Sequence, residues 1–379
     1  VHSGYPQIDN GKDKQMNKIS DYFGDVERFD PQLSVEPRRE LRVGKAEQVY
    51  FTTTDGVQIR LTRYQGGAKG PVILSHCIGV SSLMYAIDTI DENLLEYLYR
   101  HAFDVWLLDH RLSIELPASY QQSSMDDVAT KDYPAAVQKV RELTGAEAVQ
   151  VVAHGVGAST LSMALLSGLQ GVNAAVCSQV SMHLYSIDVN IRKARLPLPK
   201  LLRLFGKKWM TAYTDVNVNF LTKLYDGSMV FMPVPAHERC NNVVCHRISS
   251  IFGELYEHSQ LNPATHRALA RMFGRVNLTA MQQLTAILLK NHLIDAAGND
   301  VYLPHVDKLK LPMLFISGSN NDCVLPKSTQ QTFDLLCSVN DPQLYSRAEI
   351  PAYGHVDCII GQHAAKDVYP HILKLLESR

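Results

Sequence analysis

Val151-Val152-Ala153-His154-Gly155-Val156-Gly157-Ala158 runs an apolar, β-branched strand through a sharp turn into a helix rich in small residues. When a strand reverses into a helix that quickly, the two elements approach closely, and only small side chains fit on either side of the turn. This is the setting of a nucleophile elbow, written G-x-S-x-G. Ala153 and Gly157 fill the flanking places and His154 the first x. The nucleophile's own place falls on Gly155, which has no side chain to attack with.

Upstream, Val49 to Thr54 and Val57 to Tyr64 are β-rich runs split by Asp55-Gly56, a hairpin signal. Pro71-Val72-Ile73-Leu74-Ser75-His76 reads as a strand buried on both faces. A helix is expected over Leu94 to His101 and a strand over Phe103 to Asp109. A helix follows over Asp126 to Thr144, where Val128, Tyr133, Ala136, Val137, Val140 and Leu143 recur at helical spacing and Gly145 closes it. Beyond the elbow come a helix from Ala158 to Gly168 and a strand from Val172 to Gln179. Such alternation builds a parallel sheet covered by helices on both faces.

Residues 185–305 break the rhythm with helical patterns at Leu201 to Phe205, Ile248 to Glu257, Ala264 to Phe273 and Ala280 to Lys290. It resumes with a strand at Leu311 to Gly318, a helix near Ser328 to Leu336, a strand near Ser346 to Ile350 and a helix over Ala364 to Leu376. The expected organisation is an arm or linker over 1–45, an α/β core over 46–184 and 306–379, and a helical cap over 185–305. The chain opens on Val1 rather than Met, so it is expected to begin inside a longer product or after tag removal, and its first residues are not read for targeting.

The other parts of a triad follow in order. Asp322 lies in a loop after the strand ending at Gly318, and His355 lies in Tyr353-Gly354-His355-Val356-Asp357, just past the last strand. The order nucleophile, acid, histidine is that of α/β-hydrolases. An oxyanion site needs backbone N–H donors after the third strand and just after the nucleophile. Cys77 or Ile78 supplies the first and Val156 the second.

On these residues the chain resembles the α/β-hydrolase fold family over roughly residues 45–379. Within it, His76-Cys77-Ile78-Gly79-Val80-Ser81-Ser82, Leu107-Leu108-Asp109-His110-Arg111 and Tyr353-Gly354-His355-Val356-Asp357-Cys358 resemble hydrolase domains related to, and sometimes fused with, GMC-type (cholesterol-oxidase-like) oxidoreductases. The resemblance implies Gly155 in the place of a Ser or Cys nucleophile, His355 as base and Asp322 as acid. The common G-x-x-D spacing counted from Gly318 lands on Asn321, one residue short of Asp322. Cys77 stands where the oxyanion turn usually has Gly. A fused oxidoreductase domain is absent from the chain, so no flavin or other cofactor is expected.

Gly155 admits three readings: an engineered knockout of Ser or Cys, an enzyme that uses the fold without a covalent step, or a non-catalytic protein. His355, Asp322 and the oxyanion turn are all retained, which favours recent or artificial loss, since drift should erode them together. The expectation is an ester or thioester hydrolase or acyltransferase for a hydrophobic substrate, impaired by Gly155. The alternatives are acid–base lyase, isomerase or cyclase chemistry through His355, or ligand binding alone. His76, His154, Trp209 and Met232 are expected to line the substrate site.

Composition narrows the partners. The 379 residues carry 37 basic and 38 acidic side chains and are 46% hydrophobic. That balance argues against a nucleic-acid binder. The longest apolar candidate, Ala158 to Leu169, is broken by serines and a threonine, short of the roughly 18 residues a span needs. A cytoplasmic protein is expected, with a homodimer as one expectation for its assembly. Seven cysteines are far below disulfide-scaffold density. Cys240 and Cys245 have a gap compatible with metal and are followed by His246. No second ligand pair stands at zinc spacing, so no metal is expected there; a loop disulfide or plain thiols are.

Overall fold

The computed structural model describes residues 28–31, 39–229, 235 and 238–378. The arm expected over 1–45 therefore falls outside the described residues except at 28–31 and 39–45. Strands β1 (Glu47–Thr52) and β2 (Gln58–Gln65) form the antiparallel hairpin marked by Asp55-Gly56. They are followed by β3 (Lys69–Ser75), β4 (Phe103–Asp109), β5 (Val149–His154) and β6 (Val172–Ser178). A small ribbon pairs β7 (Trp209–Thr211) with β8 (Arg275–Asn277), and β9 (Met313–Gly318) and β10 (Tyr345–Ile350) complete the set.

Eight strands make one sheet in the order β1-β2-β4-β3-β5-β6-β9-β10, parallel from β4 to β10 and antiparallel at β1 and β2. This is the α/β-hydrolase architecture. β4 and β5 are buried along their whole length, which is why apolar residues stand at consecutive rather than alternate positions in Val105-Trp106-Leu107-Leu108 and Val151-Val152-Ala153. Separate apolar clusters cover the two faces: Ala175 and Cys177 belong to one, Val176 to the other. Between β6 and β9 the chain forms helices Asp188–Arg195, Leu198–Leu204, Phe220–Met229, Val243–Phe252, Pro263–Met272 and Leu278–Lys290.

The helix expected over Ile248 to Glu257 instead spans Val243–Phe252, capped by Asn242 and ended by Gly253 at φ 95°, and two further runs are divided at prolines. The run expected over Asp126 to Thr144 is Met125–Asp127, a π-turn at Val128–Asp132, and Tyr133–Thr144. Pro134 has no N–H to return to the preceding turn, so the ladder widens there. The C-terminal run divides into Ala364–Asp367 and Tyr369–Glu377, the second starting just before Pro370.

Candidate active site

The turn after β5 places Gly155 at φ 56°, ψ −128°, a backbone conformation that side-chain-bearing residues adopt only under strain. A Cβ on Gly157 would meet the His76 carbonyl oxygen at 2.5 Å and that of Ser75 at 2.8 Å, so the small residue is obligatory where the helix Val156–Leu166 leaves β3. Tyr133 fastens the junction, its hydroxyl lying 2.8 Å from Ser75 Oγ and 2.7 Å from the Gly157 carbonyl. The local fold is thus an elbow with an empty apex.

The space above that apex is taken by another residue. A Cβ built on Gly155 would lie 2.5 Å from Cys77 Sγ, 3.1 Å from Cys77 Cβ and 3.1 Å from His355 Nε2. The sulfur accepts a hydrogen bond from Val156 N–H at 3.3 Å, and the Ile78 N–H also addresses it. Both expected oxyanion donors therefore point at the Cys77 side chain. Burial pushes the thiol pKa up, partly offset by those two N–H groups, so the sulfur is held as a thiol. At the sequence level Cys77 enters only as a backbone donor; nothing in its spacing marks the sulfur as the occupant of the nucleophile's place.

His355 is buried and its pKa is pushed down to about 3 by desolvation, so the imidazole is neutral. Its Nδ1 lies 3.0 Å from Asn321 Nδ2. The orientation of that amide is fixed by backbone donors. Asn321 Oδ1 accepts Val324 N–H at 2.8 Å, and Gln179 Oε1 accepts Gly318 N–H at 3.0 Å while facing Asn321 Nδ2 at 2.9 Å. Of the two ends of a side-chain amide only the oxygen accepts a backbone N–H, so Asn321 offers His355 its NH2 group. Nδ1 is then the acceptor, and the ring's proton sits on Nε2, facing Gly155 and Cys77. A general base on this fold needs the opposite tautomer.

The Asp322 carboxyl is not the group that meets His355. Its main-chain carbonyl accepts Ser186 Oγ at 3.1 Å, and burial raises the pKa of its half-buried carboxyl. The shorter G-x-x-D count, which lands on Asn321, locates the residue that does meet the ring. Gln179, at φ 77° just beyond β6, has no sequence signal of its own.

A cavity of about 320 Å³ lies over this centre, with Cys77, Gly155, Val156 and His355 at its floor. Its walls are mostly apolar, among them Val180, Met210, Phe273, Leu284 and Leu288. The expected substrate contacts are placed differently. His76 is buried behind the floor, bonded through Nδ1 to the Cys77 carbonyl at 2.6 Å and stacked on His110. His154 is buried against Ser178 Oγ at 3.0 Å and the edge of His355. Trp209 points away onto Tyr120, because side chains alternate along a strand, and its neighbour Met210 faces the cavity instead. Met232 lies outside the described residues.

The His355 loop also holds a buried acid. Asp357 Oδ2 accepts Gly354 N–H at 2.8 Å, Oδ1 has no hydrogen-bond partner among the described residues, and burial raises the carboxyl pKa to about 7. Since the folded-state value exceeds the ordinary one, the folded form binds the extra proton between about pH 4 and 7, and stability falls as pH rises through that window. The slope is at most about 1.4 kcal/mol per pH unit. Asp357→Asn is expected to remove this contribution, which urea midpoints measured from pH 5 to 8 on both proteins will check.

No family model matches the chain. Lipase member K of Mus musculus is 22% identical over 343 residues, covering 82% of this chain and 80% of that protein. Among solved structures, an esterase of Pyrococcus furiosus aligns with 93% of this chain and 98% of its own, at a TM-score of 0.53 and 13% identity. The protein DcsB, solved in complex with a substrate analogue, aligns with 88% of this chain and 99% of its own, at a TM-score of 0.55 and 13% identity. The likeness to solved structures shows the α/β-hydrolase fold. No helix among the described residues is long and apolar enough to cross a membrane.

Proposed function

We propose that the chain is an ester- or thioester-directed α/β-hydrolase that binds a hydrophobic acyl compound, with its covalent step silenced at the elbow. The observation that carries this reading is Cys77 Sγ, 2.5 Å from where a nucleophile's Cβ would stand and turned onto the oxyanion donors. An acyl carbonyl could neither be attacked from 155 nor settle its oxygen between Val156 N–H and Ile78 N–H while that sulfur is present. The mainly apolar cavity and the similarity to lipases along most of the chain support a hydrophobic ester as ligand. The resemblance to hydrolase domains associated with GMC oxidoreductases extends that class to polycyclic esters.

A knockout of Ser or Cys at 155 fits only if Cys77 occupied another rotamer beforehand. Gly155→Ser alone is therefore expected to stay inactive, while Cys77→Gly/Gly155→Ser opens the hole and seats the nucleophile. In the double variant, Ser Oγ would attack the acyl carbon only from the minor state in which the His355 ring has moved its proton to Nδ1 and given up the bond from Asn321. Nε2 then takes the serine proton and the developing oxyanion sits on the two N–H groups, a slow route because Asn321 favours the other tautomer. His355 would return the proton to the leaving alcohol or thiol, and water would release the acid. The test is turnover of chromogenic esters and acyl thioesters by the parent, single and double variants. Turnover by the double variant against an inactive parent is the expected result. Inactive double variant with native circular dichroism would overturn the reading, as would a parental burst abolished by Cys77→Ala, which would make Cys77 the nucleophile.

One observation favours a second reading. The Nε2–H of His355 faces the cavity as a donor suited to polarising a carbonyl without covalent attack, with Val156 N–H and Ile78 N–H left to Cys77 Sγ. Under it, the parent converts a carbonyl compound and His355→Ala abolishes that conversion.

A further inference from the structure

Beneath the segment that seats His355, the fold gathers four metal-binding side chains from separated parts of the chain. The sulfurs of Cys240 and Cys245 and one ring nitrogen each of His258 and His266 lie within 4.8 Å of one another. A tetrahedral zinc with bonds of about 2.0–2.3 Å holds its ligand atoms about 3.3–3.8 Å apart, so closure needs only small side-chain shifts. We propose that Cys240, Cys245, His258 and His266 form a structural zinc site that clamps the cap to the His355 loop.

The surroundings are arranged as a metal's outer shell. Glu238 takes the Nδ1 side of His258, and its carboxylate also accepts the His258 backbone N–H at 3.1 Å. That leaves the Nε2 lone pair turned to Cys245 Sγ, 3.4 Å away. A carboxylate behind a ligating histidine fixes its tautomer and orientation. His266 Nε2 is buried with no hydrogen-bond partner among the described residues. Tyr256 donates its hydroxyl to Cys245 Sγ at 2.9 Å, a contact that stabilises a thiolate. Asn242 caps the helix Val243–Phe252 through Val244 N–H and Cys245 N–H, placing Cys245 in the first turn, and its amide also reaches the His266 carbonyl at 3.2 Å. All seven cysteines are free thiols, so no disulfide competes for the sulfurs. Two thiolates and two neutral imidazoles in tetrahedral array select zinc over the oxygen-loving divalent ions.

The ligands are spaced C-x4-C-x12-H-x7-H. The cysteine pair fits a zinc pattern, but the His-to-His gap exceeds the usual three to five residues, which hides the second pair from a sequence reading. The site's reach is short. Tyr256 follows Leu255, whose carbonyl accepts both His355 N–H at 3.0 Å and Val356 N–H at 2.7 Å. Ile251 and Phe252, at the far end of the Cys245 helix, line the cavity. Zinc would thus lock the wall and the histidine loop as one unit.

The experiment is elemental analysis of the full chain purified under reducing conditions without chelators, followed by cobalt(II) exchange. About one zinc per chain is expected, with thiolate-to-cobalt charge-transfer absorption after exchange and a lower melting temperature after chelation. Cys240→Ser and His266→Gln should each reduce bound zinc about tenfold or more. Retention of less than about a tenth of an equivalent after zinc reconstitution, with a melting temperature indifferent to chelator, would overturn the proposal. So would a Cys240–Cys245 disulfide by mass spectrometry in the freshly purified chain. Both readouts are independent of ester turnover, so the site stands or falls apart from the proposed activity.

Discussion

Asn321→Asp, introduced into the Cys77→Gly/Gly155→Ser background, is expected to raise kcat toward acyl esters by up to about 10⁴-fold, the penalty known for the wrong histidine tautomer in a triad. Asn321 fixes that tautomer through its NH2 group, because its Oδ1 is committed to Val324 N–H. A carboxylate keeps that bond with one oxygen and turns the other to Nδ1, which must then carry the proton, freeing the Nε2 lone pair for the nucleophile. The new charge also raises the His355 pKa from about 3, so an acid limb should appear in the pH–rate profile. Gln179 must respond, since its Oε1 now faces the position at 2.9 Å and would oppose a carboxylate oxygen. Turning its amide sacrifices the bond from Gly318 N–H, a stability loss of about 1–3 kcal/mol. The variant should therefore be faster and less stable. Unchanged kcat and an unchanged pH profile would show that the tautomer does not limit the double variant.

Arg111→Ala is expected to destabilise the fold by about 3–5 kcal/mol, the usual cost of leaving a buried charge without its partner. Arg111 is buried just beyond β4. Its guanidinium bonds Asp132 Oδ1 at 2.7 Å and Asp55 Oδ2 at 2.9 Å, and its backbone N–H reaches Asp132 Oδ2 at 2.9 Å. One side chain thus joins the β1–β2 turn, the β4 exit and the π-turn before the helix Tyr133–Thr144. Burial already raises the Asp132 pKa to about 6 with the arginine present. Without it, Asp132 and Asp55 would face each other near neutrality, and the variant should regain part of its stability as pH falls and they protonate. Arg111→Lys keeps the charge but loses the fork geometry and should fall between the two. Urea midpoints at pH 5 and 7.5 would measure both effects, and a loss below about 1 kcal/mol for Arg111→Ala would contradict this account.

The scaffold is legible in local stretches of the chain. Continuous apolar runs such as Val72 to Leu74, the Asp55-Gly56 turn and the strand–helix alternation are local signals, because burial and turn chemistry act within a few residues. The elbow was legible for the same reason: close approach of strand and helix admits only small residues at 153 and 157, whatever stands at the apex. So was the His355 loop, from its place after the last strand. The tertiary structure alone decided what these parts can do. Whether Cys77 contributes a backbone N–H or a sulfur in the nucleophile's place depends on the separation of β3 and β5, which no spacing encodes. Which of Asn321 and Asp322 meets His355 depends on the backbone donors of Val324 and Gly318. Cys240, Cys245, His258 and His266 come together only because the chain between β6 and β9 folds back on itself. A hydrogen bond or a metal bond is decided over a few tenths of an ångström, and that precision comes from packing residues remote in the chain.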